Sequence, residues 1–81
     1  MKKLSEKDFY KTTDLALATA ISLWYPLETI DKTNPPKAQF LFLRDVKLDE
    51  LIENYWRGSL QVEPQAFFNQ MKVIKSRLYS E

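Results

Sequence analysis

Residues 15–24 form the most apolar run of the chain, and they constrain its fold more than any other feature. The run reads LALATAISLW, in which only Thr19 and Ser22 are polar. A helix with apolar residues on nearly every face is buried on several sides. We therefore expect a central helix over residues 14 to about 24, covered by a sheet on one face and by other helices on the remainder.

The residues around this run predict where the helix begins and ends. The segment FYKT at residues 9–12 is aromatic and β-branched, which is typical of a short strand. Thr12 or Thr13 is then the expected N-cap, with Asp14 in the first turn at the positive end of the helix dipole. Pro26 ends the helix, because the residue before a proline is driven out of the helical region.

The next segment predicts a hairpin with a long loop. Residues 27–30 and 38–43 have strand character and flank the turn-rich segment DKTNPPK at residues 31–37. The second strand has phenylalanines on one face and leucines on the other. A strand that is apolar on both faces is expected in the middle of the sheet.

Two amphipathic helices complete the chain. The first begins near Asp45 and ends at Gly58, where glycine suits a left-handed cap. Its apolar stripe consists of Leu48, Leu51, Ile52 and Tyr55. The second begins at Pro64, whose missing N–H is tolerated in a first turn. Its apolar stripe consists of Phe67, Phe68, Met71, Ile74 and Leu78. Between the two helices, we expect residues 59–62 to form either a short strand or only an extended link.

The order of these elements is β-α-β-β-α-(β)-α. This order predicts an α+β fold, with the helices packed on a small, mostly antiparallel sheet. A chain of 81 residues is the length of one domain. We place that domain at residues 9–81, after a polar lead-in of mixed charge at residues 1–8.

The composition excludes several kinds of catalytic site. The chain has no His, no Cys and one Gly. It therefore lacks the imidazole and thiolate of common nucleophile pairs and zinc sites, and the glycines of phosphate-binding loops. We predict a protein that is not an enzyme and that binds no cofactor or metal.

The remaining catalytic hypothesis is a hydrolytic or metal-dependent site made of Asp45, Asp49 and Glu53. Asp49 and Glu53 stand one turn apart on the polar side of the same helix. Paired carboxylates can hold a divalent cation or divide acid and base roles. The alternative is a solvated helix face whose acids suit the helix dipole, and the sequence favours that alternative.

Two pairs of adjacent aromatic residues form the candidate interface. They are Trp24 with Tyr25, and Tyr55 with Trp56. Neighbouring residues on a helix point about 100° apart, so at least one member of each pair is expected to be partly exposed. Trp and Tyr are enriched at interface hot spots, but packing at the rim of the core explains the pairs equally well.

The last helix carries the candidate nucleic-acid contacts. They are Lys72, Lys75, Arg77 and Tyr79. The cations would contact phosphates, and the tyrosine would stack on a base or sugar. The alternative is a cation-rich helix end that complements its own dipole. A net charge of +1 gives the chain as a whole no attraction to a polyanion. Binding of nucleic acid would therefore depend on the cluster of cations on this helix.

The expected location is the cytoplasm, without membrane contact. The basic start MKKL is followed by SEKD instead of the apolar segment of a signal peptide. The apolar run at residues 15–27 is too short to span a bilayer. A chain without cysteine is also compatible with a reducing compartment.

Four motifs extend along most of the chain. They are FYKTTDLALA at residues 9–18, the strand QFLFLR before a helix, Tyr55-Trp56 followed by Gly58, and KVIKSRLY at residues 72–79. Together they resemble a family of small bacterial and phage domains of unknown function. The resemblance spans residues 9–79 and implies a self-contained domain, but no activity, cofactor or site residues.

These observations predict a non-enzymatic binding module that acts through protein–protein contact, with self-association as a homodimer included. The prediction depends on the aromatic content, the small size and the missing catalytic chemistry. The alternative is a nucleic-acid-binding accessory protein that uses the basic last helix. The sequence does not identify a partner.

Overall fold

The computed structural model describes residues 8–34 and 37–80. Its elements are β1 (Phe9–Thr12), α1 (Leu15–Ser22), β2 (Thr29–Asn34), β3 (Lys37–Leu43), α2 (Val46–Arg57) and α3 (Pro64–Tyr79). The predicted α+β class and element order are confirmed, and residues 59–63 form an extended link and no strand. The predicted lead-in at residues 1–8 lies outside the described residues except for Asp8.

The sheet is antiparallel, and β3 lies between the other two strands as predicted. Tyr10 of β1 is opposite Phe42, and Ile30 of β2 is opposite Phe40. Both phenylalanines are buried against the helices. The opposite face of β3 is less covered, and Leu43 on that face is exposed.

The predicted long hairpin loop is wrong, because the strands continue through most of residues 31–37. Asn34 pairs with Lys37, which leaves only residues 35–36 between the strands, and these lie outside the described residues. A bulge interrupts the ladder between Asp31 and Asn34. At the bulge the Thr33 hydroxyl and N–H both donate to Asp31, and these bonds lower the pKa of its carboxyl group. Pairing with β3 therefore overrides the turn propensity of the polar segment.

Helix α1 begins one residue later than predicted, and its N-cap is Asp14 instead of a threonine. The Asp14 carboxylate accepts hydrogen bonds from the N–H groups of Ala16 at 2.9 Å and Leu17 at 3.2 Å. Thr12 does not cap the helix itself. Its hydroxyl accepts a hydrogen bond from the N–H of the cap residue Asp14 at 3.1 Å. The helix ends at Ser22, four residues before Pro26.

The predicted start and end of α2 and the predicted start of α3 are confirmed. Asp45 caps α2 by accepting from the Leu48 N–H at 2.7 Å, and Gly58 ends α2 with a left-handed φ of 76°. Pro64 opens α3, and the Glu63 carboxylate accepts from the Ala66 N–H at 2.8 Å. In each helix, the side chain of the cap residue therefore accepts a hydrogen bond from one of the first-turn N–H groups that have no partner within the helix.

The core lies between the helices and one face of the sheet. Helix α1 packs against α3, α2 and β1, which confirms its predicted central position. The buried cluster consists of Leu17, Ala18, Ile21, Phe40, Phe42, Leu48 and Ile74. No tryptophan or tyrosine belongs to this cluster, so the larger aromatic side chains lie at its margin or on the surface.

Candidate binding surfaces

The two aromatic pairs lie near opposite ends of α2. The Tyr25 hydroxyl donates to the Asp45 carboxylate at 3.0 Å, at the beginning of the helix. Tyr55 and Trp56 lie in the last turn, about 15 Å away along the axis at 1.5 Å per residue. The four residues therefore do not form one aromatic patch.

Each pair has one exposed and one partly buried member. Helical geometry explains this for Tyr55 and Trp56, whereas Trp24 and Tyr25 lie in the turn after α1. Trp24 is 53% exposed and Trp56 is 64% exposed, whereas both tyrosines pack against the core cluster. The ring of Trp56 meets that of Tyr55 edge-on, with centroids 5.1 Å apart and planes at 88°. Trp56 is thus held in place by a partly buried neighbour while most of its own surface faces solvent.

A groove of about 530 Å³ adjoins Trp56 between β1 and α2. We call it the Trp56 groove, and it is lined by Tyr10, Arg44, Asp49, Ile52, Glu53 and Trp56. Tyr10 and Ile52 pack against the core and form its apolar floor. Because Ile52 and Trp56 are four residues apart, they lie on the same side of α2.

The charged side chains of the Trp56 groove are paired. Arg44 Nε lies 3.1 Å from Asp49 Oδ1. Glu53 Oε2 lies 3.8 Å from a guanidinium nitrogen of Arg57, one turn along the helix. The rim of the groove therefore presents both signs of charge around an apolar centre.

The tyrosines near the ends of α2 favour their neutral forms. Burial raises the pKa of Tyr10 and of Tyr55 above the usual 10.0, and the Asp14 carboxylate adds to the rise in both. Desolvation also raises the pKa of Tyr25, with a further contribution from its hydrogen bond to Asp45. All three hydroxyls thus remain hydrogen-bond donors at neutral pH.

A second surface runs along α3, and it includes one residue, Phe68, whose predicted burial is wrong. Phe68 was expected in the buried stripe, but it is 61% exposed while its neighbour Phe67 is partly buried. The two rings meet edge-on with centroids 6.1 Å apart, because adjacent helical residues diverge by about 100°. Phe68 instead shares an outward face with Lys72, Lys75 and Tyr79.

Arg77 does not belong to this outward face. Its guanidinium donates to the Leu27 carbonyl at 3.1 Å and links the last turn of α3 to the segment before β2. The Lys32 ammonium of β2 reinforces this link by donating to the Ser80 carbonyl at 2.7 Å. Of the four predicted nucleic-acid contacts, Arg77 therefore has a structural partner, and Lys72, Lys75 and Tyr79 are exposed.

A pocket of about 580 Å³ opens at the end of α3. We call it the Tyr79 pocket, and it is lined by Thr13, Leu15, Lys32, Lys37, Ala38, Phe40, Leu78 and Tyr79. The walls are mostly apolar, and the polar groups are one hydroxyl and two lysines besides the tyrosine. Tyr79 is 79% exposed and belongs both to this pocket and to the outward face of α3.

The acids of the catalytic hypothesis have other partners. Asp45 caps α2 and accepts from Tyr25, Asp49 pairs with Arg44, and Glu53 pairs with Arg57. In residues 8–34 and 37–80, no three Asp or Glu side chains are grouped closely enough to hold a metal ion. The three acids therefore have structural contacts of their own, and they are not brought together.

Sequence reasoning missed the residues that other elements contribute to these surfaces. Tyr10 and Arg44 reach the Trp56 groove from β1 and from the segment after β3. Lys32 and Lys37 reach the Tyr79 pocket from the hairpin. Only Phe68 carried a usable signal, since two adjacent phenylalanines cannot both face the core of a surface helix.

The comparisons with known proteins identify a family. A family model described as a domain of unknown function (DUF5659) matches residues 7–80. The chain belongs to this family. The resemblance to a family of small domains of unknown function is thereby confirmed, and the family brings no assigned activity with it. Neither the curated proteins nor the solved structures contain a match to the chain. Among the helices described, none is long and apolar enough to cross a membrane.

Proposed function

We propose that this member of the family is a non-enzymatic binding module that associates with a second copy of itself through the Trp56 groove. The observation that carries the proposal is the 64% exposure of Trp56 beside an apolar floor. An aromatic side chain buries roughly 150–250 Å² when it is covered, at about 25 cal/mol per Å². A partner that covers Trp56 and the floor would recover this free energy.

The charges on the rim support a second copy as the partner. A twofold interface brings the same surface of both copies together, so the surface must complement itself. The Trp56 groove is lined by both Arg44 and Glu53, and both are exposed. A twofold arrangement can therefore place each arginine opposite the glutamate of the other copy while the tryptophans enter the apolar centre.

The size of the domain also supports self-association. A domain of about 80 residues buries a smaller fraction of its unfolded surface than a larger domain does, so a second copy adds apolar burial that one copy lacks. The buried cluster is correspondingly small and contains neither tryptophan. The cytoplasm is the compartment we propose for this contact, because a chain without cysteine suits a reducing environment.

The experiment uses the two tryptophans as separate reporters. In Trp24→Phe, Trp56 is the one tryptophan left, and in Trp56→Phe, Trp24 is the one left. Emission is recorded from 1 μM to 1 mM together with the solution mass from light scattering. We expect Trp24→Phe to form a dimer and to shift to shorter wavelength as it associates, because Trp56 leaves water.

Trp56→Ala is the variant that tests the groove, and Trp24→Ala is its matched control. Both residues are exposed, so neither substitution should unfold the domain. We expect Trp56→Ala to weaken the dimer at least tenfold and Trp24→Ala to leave it unchanged. A mass that stays monomeric at 1 mM, or equal effects of the two variants, would refute self-association through this groove.

A further inference from the structure

The outward face of α3 combines cations with aromatic rings in a regular row. We call this row the α3 stripe, and it consists of Phe68, Lys72, Lys75 and Tyr79. The spacing is i, i+4, i+7 and i+11, so the four residues share one side of the helix over about 16 Å. Both rings are more exposed than buried, at 61% for Phe68 and 79% for Tyr79.

The lysines of the α3 stripe are not neutralised by an anion in the described part of the chain. Neither Lys72 nor Lys75 makes an ion pair with any residue in the described parts of the chain, 8–34 and 37–80. An unpaired ammonium keeps its full attraction for a ligand, because binding does not first have to break an internal pair. The stripe is therefore complementary to a ligand that has both negative charge and flat apolar surface.

The Tyr79 pocket extends the stripe beyond the end of the helix. Tyr79 lies at the junction, and Lys32 and Lys37 supply two more cations on the pocket wall. Lys32 keeps a donor free, because an ammonium has three protons and carbonyls at the end of α3 take at most two. The volume of about 580 Å³ lies within the range of roughly 300–1,000 Å³ of small-molecule sites.

We propose that this protein binds single-stranded nucleic acid along the α3 stripe, with one base in the Tyr79 pocket. Lys72 and Lys75 contact backbone phosphates, and Phe68 and Tyr79 stack on unpaired bases. Leu15 and Leu78 supply apolar contact for the base in the pocket, and Lys37 pairs with a neighbouring phosphate. This surface is separate from the Trp56 groove, so it adds a function and does not depend on the dimer.

The chemistry favours a single strand over a duplex or a membrane. Rings can stack only on bases that are not already stacked in a helix, and a duplex hides the base faces. A helix that lies on an anionic membrane needs a broad apolar face turned to the lipid, whereas the buried face of α3, with Ile74, is already used by the core. Two rings separated by cations match the alternating bases and phosphates of a single strand better than they match a duplex or a membrane.

Fluorescence anisotropy with labelled oligothymidylate of 12 nucleotides tests the proposal on the full chain. We expect saturable binding at 20 mM salt that weakens strongly by 200 mM. Each phosphate contact on a single strand contributes about −0.7 to the slope of log K against log salt. Lys72→Glu with Lys75→Glu should therefore lower the affinity at least tenfold and make the slope shallower by about 1.4.

Two matched controls separate the stripe from general charge and general apolar surface. Lys47→Glu reverses the charge of an exposed lysine on α2, which is half the charge change of the double variant, and it should change the affinity less than twofold. Phe68→Ala should weaken binding about tenfold without changing the salt slope, because stacking releases no counterions. Val73→Ala removes another exposed apolar side chain from α3, and it should leave binding unchanged.

Several results would overturn the proposal. They are no binding of oligothymidylate at 20 mM salt, tighter binding to a 12-base-pair duplex, and equal losses in the stripe variants and their controls. Binding to vesicles of phosphatidylserine and phosphatidylcholine with no binding to the oligonucleotide would assign the stripe to a membrane instead. Circular dichroism and thermal melts of every variant confirm that the fold is intact, which exposed positions allow.

Discussion

The Trp56 groove and the α3 stripe both expose aromatic side chains, but their charged neighbours differ. In the groove, Arg44 is paired with Asp49 and Glu53 with Arg57. In the stripe, two lysines stand between two rings and make no ion pair with residues 8–34 or 37–80. Paired charges around an apolar floor suit another protein surface, whereas unpaired cations between rings suit a polyanion with flat bases. The same residue types thus indicate different ligands according to what surrounds them.

The two surfaces arise from the same geometric constraint on a helix that covers a small core. A helix of 3.6 residues per turn buries one stripe, so a run of adjacent large residues must expose one of them. In α2 this places Tyr55 inward and Trp56 outward, and in α3 it places Phe67 inward and Phe68 outward. What differs is the neighbouring element, which is β1 for Trp56 and open solvent for much of the α3 stripe.

The largest expected effect tests whether both surfaces belong to one cooperative unit. Leu48 of α2 and Ile74 of α3 are fully buried in the same cluster. Leu48→Ala and Ile74→Ala should each lower the free energy of unfolding by about 2–5 kcal/mol, because each leaves a cavity in the core. Urea denaturation followed by circular dichroism measures both values.

A much smaller loss of unfolding free energy in Ile74→Ala than in Leu48→Ala, with two separate urea transitions, would contradict the prediction that both surfaces belong to one cooperative unit. It would mean that α3 unfolds independently of the sheet and α2. Val73→Ala is the control for α3, because Val73 is 51% exposed and its truncation should change the free energy of unfolding by less than about 0.5 kcal/mol.

An intermediate effect is expected at the N-caps of the two helices that carry the surfaces. The Asp45 carboxylate accepts from both the Leu48 N–H and the Tyr25 hydroxyl, whereas the Glu63 carboxylate accepts from the Ala66 N–H alone. Asp45→Ala should therefore destabilise the domain by about 1–2 kcal/mol, and Glu63→Ala by about 0.5 kcal/mol. Asp45→Asn keeps a capping oxygen and should restore most of the loss. Equal losses at the two caps would contradict this assignment of partners.

The smallest expected effect is a loss of stability at alkaline pH that is caused by the ionisation of Tyr10, which lines the Trp56 groove. The pKa of Tyr10 is raised by burial in the folded state, so its contribution is fully present below the unfolded pKa near 10. This contribution is lost as the pH rises above that value through the folded pKa. Tyr10→Phe should flatten the fall in thermal midpoint between pH 9 and 11.

An alkaline fall in thermal midpoint that is the same in Tyr10→Phe as in the unchanged chain would contradict this prediction. It would mean that the burial of Tyr10 does not govern the response of the domain to pH.

The amino-acid sequence by itself determined the secondary structure wherever the signal was local. The cap at Asp45, the left-handed end at Gly58 and the start at Pro64 depend on hydrogen bonds and dihedral angles within a few residues. The central place of β3 was also predictable, because both of its faces carry apolar side chains. The local pattern was wrong by one residue at the Asp14 cap, where three consecutive residues can all accept from backbone N–H groups.

Only the tertiary structure decided what depends on residues far apart in the chain. The hairpin continued through Asp31–Asn34 because pairing with β3 and the contact of Lys32 with the end of α3 outweigh local turn propensity. The sequence predicted Trp56 and Tyr79 as candidate contact residues. It did not predict that Tyr10 lies beside Trp56 or that Lys37 lies beside Tyr79. Periodicity states which residues of one helix share a face. It carries no information on which other element packs beside that face, and packing is what turns exposed aromatic residues into a groove or a stripe.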